Sequence, residues 1–429
     1  MTERLNGAAL RPAACCTFLT QSAQRVMIPM PSHADAPSPD APAVHLLRDI
    51  LRDAAARGAS DLHIEPVEQQ WRIRLRIDGV LHEIMRPPAH LRDRLITRIK
   101  VLARLDIAER RVPQDGRLRI PVENGKTEEY RVNTLPTLFG EKLVLRRLDT
   151  LPPGLALNAL GFDAAQRDTL EAAIRAPHGM VLVTGPTGSG KTVTLYCLLQ
   201  QLNREALNLC SVEDPAEIQL TGVNQVSVRE KAGLSFATAL RAFLRQDPDV
   251  IMVGEIRDPE TADVAIKAAQ TGHLVLSTLH TNNAPATLAR LLDIGVAPFN
   301  LAAAIRIITA QRLIRKLCPC CRIPASISPI ARRAAGFDET ACTQDWQPYR
   351  PAGCLDCHGI GYRGRLGIHQ VMPISNAMRE IILARAGVQA LAQQARQEGV
   401  KTLREAGLVK VREGATSLQE VLAVTDAQT

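Results

Sequence analysis

A chain of 429 residues exceeds what one hydrophobic core usually supports, so two or three domains are expected. The net charge of +8 is spread along the chain and is compatible with nucleic acid, an acidic membrane surface or an acidic partner without selecting among them. No apolar run reaches the roughly 18 residues that a spanning helix needs, since the nearest candidate, Val296 to Leu313, is broken by Arg306 and Arg312. The first residues lack the clean apolar core of an export signal. Ten cysteines, six of them between Cys318 and Cys357, suggest a metal site in a reducing compartment more than a disulfide framework.

Residues 1–43 lack periodicity and end in a stretch rich in Pro, Ala, Ser and Asp, a composition that reads as a disordered tail. Val44, Leu46, Leu47, Ile50 and Leu51 then recur at helical spacing up to Gly58, a natural stop. Trp71 to Ile77 alternates, with Ile73, Leu75 and Ile77 on one face, arginines on the other, and Asp78-Gly79 as a hairpin turn. Leu91 to Ile107 is read as helical, and short strands follow to Leu148. Residues 44–150 thus form an α+β domain, and the Pro152-Pro153-Gly154 segment marks a linker over 151–161.

From residue 162 to about 316 the pattern is α/β. The apolar runs Met180 to Thr184, Leu207 to Val212, Val250 to Val253 and His273 to Leu279 alternate with helical ones, which predicts a parallel sheet covered on both faces. One helix is punctuated by Asp258 at its N-cap, Pro259 and Gly272. Gly185-Pro186-Thr187-Gly188-Ser189-Gly190-Lys191-Thr192 follows the first of these strands and opens a helix, the context in which G-x-x-x-x-G-K-[ST] cradles phosphate. Lys191 would reach the β- and γ-phosphates of ATP, and Thr192 would place its hydroxyl on Mg²⁺. Glu255, after the strand Val250 to Val253, is the Walker B candidate, a carboxylate placed to hold the Mg²⁺ shell through water, with helix capping as its bland alternative. Glu213, Asp214 and Glu217 crowd the end of another strand, where one of them could orient the attacking water. His273 and His280 bracket a strand and point to opposite faces, so they cannot share a metal there.

These motifs, together with Leu244 to Asp249, Gly254 to Asp258 and Thr271 to Asn282, resemble the bacterial secretion ATPase family: the hexameric GspE/PulE/PilB-like motors of type II secretion and type IV pilus assembly. Upstream, Gly58 to Pro66, Arg76 to Gly79, Pro113 to Arg117 and Arg131 to Thr137 are similar to the family's PAS-like domain. The resemblance implies a RecA-like P-loop ATPase domain, a homo-hexamer, and inner-membrane platform proteins as partners. It implies a cytoplasmic protein held peripherally at the inner membrane through those proteins. It also assigns Glu217 as catalytic glutamate, Glu255 as Walker B acid, His273 and His280 as a histidine pair, and Arg117 and Arg131 as arginines that reach the γ-phosphate. Members usually carry a further N-terminal docking domain, and only the tail stands in that place here.

Cys318-x-x-Cys321 and Cys354-x-x-Cys357 suit a structural zinc site within a subdomain over 317–366. Cys320 competes with Cys321 as ligand, and Cys-x-x-Cys-His at 354–358 also fits haem attachment, which would require export. Cys197 and Cys210 read as core thiols, and Cys342 receives no role. Residues 367–429 read as the helical end of the ATPase domain. Two rivals remain: a nucleic-acid translocase, against which the aromatic content of 3% weighs, and a scaffold that binds ATP without turnover.

Overall fold

The computed structural model describes residues 41–68, 70–121, 127–148, 157–338 and 346–425. The tail up to residue 40, the proline-rich part of the linker and Cys342 lie outside the described residues, and positions 41–43 open helix α1 (Ala41–Ala56) instead. That helix stops at Gly58, whose φ of 64° lets Ala59 N–H reach back to Ala54 O at 2.9 Å.

Six antiparallel strands follow: β1 (Asp61–Pro66), β2 (Trp71–Ile77), β3 (Val80–Met85), β4 (Gln114–Pro121), β5 (Thr127–Thr137) and β6 (Gly140–Leu148), in the order β3-β2-β1-β6-β5-β4. Every second residue of β2 is buried, and Ile73, Leu75 and Ile77 share a core with Leu47, Ile50 and Leu51 of α1 and with Leu95, Ile96 and Ile99 of α2 (Arg92–Leu102). Asp78 and Gly79 both adopt positive φ, 47° and 87°, as a two-residue hairpin turn requires. Helix α2 ends at Leu102, not at Ile107. Arg104 takes φ 56°, and Leu105 N–H bonds Lys100 O at 2.9 Å, a C-terminal cap usually marked by glycine and hidden here by an arginine.

The second sheet contains β7 (Gly179–Thr184), β8 (Leu209–Glu213), β9 (Val223–Ser227), β10 (Val250–Val253), β11 (Leu274–Leu279), β12 (Ile305–Leu317) and a late strand, Tyr362–Pro373, in the order late strand-β12-β7-β11-β10-β8-β9. All neighbouring pairs are parallel except the edge pair of β12 with the late strand. Met180 and Leu182 of β7 join the core beneath α5 (Phe236–Phe243), α6 (Pro259–Gln270), α7 (Ala284–Asp293) and α8 (Pro298–Ala304). Val181 and Val183 join the opposite core with residues of α3 (Ala164–Ile174) and α4 (Lys191–Leu202). Burial on both faces is why these strands read as unbroken apolar runs.

The cysteine segment lies between β12 and the late strand and carries the short pair β13 (Ile323–Pro324) and β14 (Tyr349–Arg350) and helix α9 (Pro329–Ala335); the late strand is therefore β15. β12 and β15 pair from Ile307↔Pro373 to Leu317↔Tyr362, so the boundary expected at 366 falls inside β15, and the insert is the tip of a long hairpin. Helices α10 (Asn376–Leu383), α11 (Gly387–Gln397), α12 (Leu403–Arg412) and α13 (Leu418–Val424) complete the chain. The two sheets meet at this hairpin: Gly364 N–H donates to Asp78 Oδ2 at 2.7 Å, and Ile360 packs on the first core.

The end of the expected linker is fixed in place. A Cβ on Gly161 would come within 2.3 Å of Gly367 O. Phe162 stacks on His369 with ring centroids 3.6 Å apart, and the His369 Nε2 bonds Leu160 O at 3.0 Å. Burial pushes the His369 pKa down to about 4, and its Nδ1 is a buried nitrogen with no hydrogen-bond partner. The folded protein thus resists protonation that the unfolded chain accepts near pH 6.5, so stability is full above that pH and falls as pH drops toward 4. Unfolding in urea should show a loss of roughly 2 kcal/mol from this group between pH 7 and pH 5, and His369→Gln, which keeps a donor for Leu160, should flatten that part of the curve.

Candidate active site and metal centre

Parallel strands present their C-terminal ends along one edge, and the loops leaving that edge gather the candidate residues. The loop Gly185 to Gly190 leaves β7 there and enters α4 at Lys191. Gly185 has no room for a side chain, because a Cβ would lie 2.5 Å from Gln311 O and 2.6 Å from Ser189 Oγ. Gly190 caps α4 at φ 87°, open to glycine at little cost. The Lys191 ammonium curls over the loop and donates to Gly185 O at 2.9 Å and Pro186 O at 3.1 Å. Burial pushes its pKa down to about 8, with Glu255 opposing the shift and Arg312 adding to it. Thr192, one residue into the helix, is exposed, as are Pro186, Thr187 and Gly188.

Glu255 follows β10 on the same edge. Its carboxylate pairs with Arg257 and lies 3.3 Å from His280 Nε2 at the end of β11. The turn carrying it is pinned by Thr278 Oγ1, which donates to Gly254 O at 2.7 Å, and by Ile256 N–H, which donates to Thr278 O at 3.0 Å. Helix capping is left to Asp258, which accepts from Thr261 N–H at 2.8 Å, so Glu255 has no capping role.

Of the three carboxylates after β8, Glu213 is buried and consumed by internal bonds: it accepts from Tyr196 Oη, from Ser211 Oγ at 2.7 Å and from Gln225 Nε2 at 3.1 Å. Asp214 and Glu217 are exposed. Glu217 lines a cleft of about 220 Å³ together with Arg117 and Arg131 of the first sheet. Both arginines are half exposed, tied to Glu129 at 3.5 Å and to Asp115 at 3.3 Å. Arg146 on β6 adds positive charge near Glu217 while bonding Asp61 at 2.9 Å. His273 is not brought to this edge. It precedes β11 at the far end of the sheet, where its Nδ1 bonds Ala268 O at 3.0 Å.

Sequence reasoning missed Gln311, Arg312, Arg257 and Arg146. Gln311 and Arg312 lie on a strand that also carries Arg306, Thr309, Arg315 and Lys316, so polarity alone did not single them out; Arg257 stood within the Gly254 to Asp258 motif without a role of its own, and Arg146 carried no signal.

Cys318, Cys321, Cys354 and Cys357 bring their sulfurs within 4.8 Å of one another. Separations of 3.8 Å for Cys318 to Cys354, 3.7 Å for Cys321 to Cys357 and 3.7 Å for Cys354 to Cys357 match the edge of about 3.8 Å in a tetrahedron with metal–sulfur distances of about 2.3 Å. Backbone N–H groups aim at the sulfurs: Gly353 at Cys321 (3.3 Å), Cys354 at Cys357 (3.2 Å) and Gly361 at Cys357 (3.1 Å). Burial raises the Cys357 thiol, but the N–H groups of Cys354 and Gly361 outweigh it and bring its pKa to about 7. Cys320 is exposed and outside the cluster, which decides between it and Cys321. The donor set suits a soft metal ion with its coordination sphere filled by protein.

The family described as "Type II/IV secretion system protein" matches residues 37–423. The chain belongs to that family. Among curated relatives it is 50% identical over 395 residues to the type IV pilus assembly ATPase PilB of Myxococcus xanthus, covering 90% of this chain and 68% of that protein. It is 46% identical over 389 residues to the type II secretion system ATPase E of Vibrio cholerae, covering 90% of this chain and 76% of the relative. Among solved structures, the ATPase DotB of Legionella pneumophila shares the fold at a TM-score of 0.66 and 21% identity, covering 89% of this chain and 95% of that one. The pilus retraction motor PilT with bound ADP matches at 0.59 and 25% identity, covering 89% and 97%. As a member of this family the chain is an ATP-hydrolysing enzyme with a RecA-like core. No helix among the described residues is long and apolar enough to cross a membrane.

Because Cys320 stands outside the cluster, Cys320→Ser should purify with as much bound metal as the parent. Cys357→Ser should lose most of it, as elemental analysis would read.

Proposed function

We propose that the chain is a mechanical motor, a ring of six subunits that powers type IV pilus assembly or type II secretion from the cytoplasmic face of the inner membrane. It is held there by membrane-embedded platform proteins. Residues 44–150 serve as a PAS-like domain that moves against the ATPase core as nucleotide is bound and hydrolysed. The cysteine insert is a zinc-stapled knob, its metal structural because four thiolates leave no open position.

ATP would sit on the loop Gly185 to Thr192, with the Lys191 ammonium exchanging Gly185 O and Pro186 O for phosphate oxygens. A lysine held by two carbonyls is already aimed into the loop, and its depressed pKa reflects the dryness that strengthens such a contact. The Thr192 hydroxyl and Glu255 would hold Mg²⁺, which when bound offsets phosphate charge. His280 orients Glu255. Glu217 takes a proton from the attacking water, and Arg117 and Arg131 neutralise the charge that develops on the phosphoryl group. His273 is assigned a structural role through Ala268.

The observation that carries this reading is the cleft that Glu217 lines together with two arginines of the other sheet. Such a cleft closes only when the two domains approach, which joins chemistry to motion. The test is the steady-state ATPase of the full chain with Mg²⁺. Glu217→Gln should lower kcat by about 10²-fold or more while leaving nucleotide affinity near the parent value. Arg117→Ala and Arg131→Ala should lower kcat as well. Parental turnover in Glu217→Gln would sink the assignment, and stimulation by DNA that collapses with added salt would replace the secretion motor with a translocase.

A further inference from the structure

Gln311 stands on β12 beside β7, only 2% exposed, and both ends of its carboxamide are engaged with the nucleotide loop. The Nε2 donates to Ser189 O at 2.6 Å, and the Oε1 accepts from Thr194 Oγ1 at 2.9 Å. The orientation of the amide is not arbitrary: a backbone carbonyl can only accept, so the nitrogen end must face Ser189. The Gln311 main-chain oxygen also abuts Gly185, 2.5 Å from where a side chain there would begin. One residue therefore touches the loop at its first position, at its fifth, and one turn into the helix that follows.

A trans peptide is planar, with its C=O and N–H pointing to opposite sides. Drawing the Ser189 carbonyl toward Gln311 therefore turns the Gly190 N–H away from β12. The Thr194 hydroxyl has one proton to donate, and of its two acceptors Gln311 Oε1 at 2.9 Å is nearer than Gly190 O at 3.3 Å; the contact to Gln311 ties down the first turn of α4, the turn that carries Lys191 and Thr192. Phosphate binding by such a loop depends on the directions of its N–H groups, which glycines leave free to rotate. Something outside the loop must remove that freedom.

We propose that Gln311 is a positioning residue for phosphate binding: its carboxamide sets the Ser189–Gly190 peptide and the first turn of α4, so that the loop is aligned before the nucleotide arrives. This rests on the reading of Gly185 to Thr192 as the ATP site. Its role reaches substrate only through the loop, and a merely structural glutamine would alter stability without altering affinity.

The test uses the full chain and three variants: Gln311→Met, of similar length but without the amide; Thr194→Val, which removes one of the two contacts; and Lys191→Ala as control. A fluorescent ADP analogue gives Kd, steady-state hydrolysis gives KM and kcat, and nucleotide-free thermal unfolding shows that each variant is folded at the assay temperature. Gln311→Met should raise Kd and KM about tenfold, with KM rising by a larger factor than kcat falls, and Thr194→Val should raise both by less. A folded Gln311→Met with parental Kd and KM overturns the proposal, as does a Gln311→Met whose Kd and KM hold while only its unfolding temperature drops. A Thr194→Val that matches or exceeds Gln311→Met in its effect also overturns it, because the contact to Ser189 would then be idle. If Lys191→Ala binds nucleotide like the parent, the ATP-site reading itself fails; loss of binding there with none in Gln311→Met isolates the failure to the role of Gln311.

Discussion

The position of the loop Gly185 to Gly190 depends on β7 being buried on both faces. A strand clamped between two cores cannot shift along its axis without uncovering Met180 and Leu182 on one side or Val181 and Val183 on the other. The residue after it, Gly185, is consequently delivered to one place, hemmed in by β12 and by Ser189. The glycine-rich part of the site thus begins from a strand buried along its whole length, and the neighbours of β7, β11 and β12, supply the groups that surround it. Loops hung on a scaffold of this kind can be chemically adventurous without losing their positions.

Much of this was legible because the relevant constraints are local. The P-loop, the Asp78-Gly79 turn and the Asp258-Pro259 helix start each need particular backbone angles or caps, and only a few residue types meet them. The two cysteine pairs were legible for a different reason: thiolates at two-residue spacing have few other uses in a reducing setting. The family likeness supplied Glu217, Arg117 and Arg131, which no periodicity could single out, and the structure gathers these three in one cleft.

What stayed hidden was non-local or unconventional. The pairing of β12 with β15 spans the whole cysteine insert, so no hairpin turn announces it, and the boundary expected at 366 falls within the second strand. The cap of α2 escaped because Arg104 occupies a backbone conformation that glycine would advertise. Apart from the family likeness nothing separated Glu213 from Glu217, and the structure takes Glu213 up in buried bonds to Tyr196, Ser211 and Gln225. His273 illustrates a further limit, since its placement at the other end of the sheet separates it from His280 within a single chain.

β12 begins beneath the helices, passes Gln311 at the loop and runs to Leu317, next to Cys318, with a shift of register against β15 between Arg315 and Leu317. At about 3.3 Å per residue, the span from Gln311 to Cys318 is a strut of roughly 23 Å. One end abuts the loop Gly185 to Gly190, and the other reaches the cluster of four cysteine sulfurs and the Gly364 contact with the Asp78 turn of the first sheet. The cysteine tip and the loop after β7 are in that sense two ends of one strand, so a displacement of either reaches the other along β12.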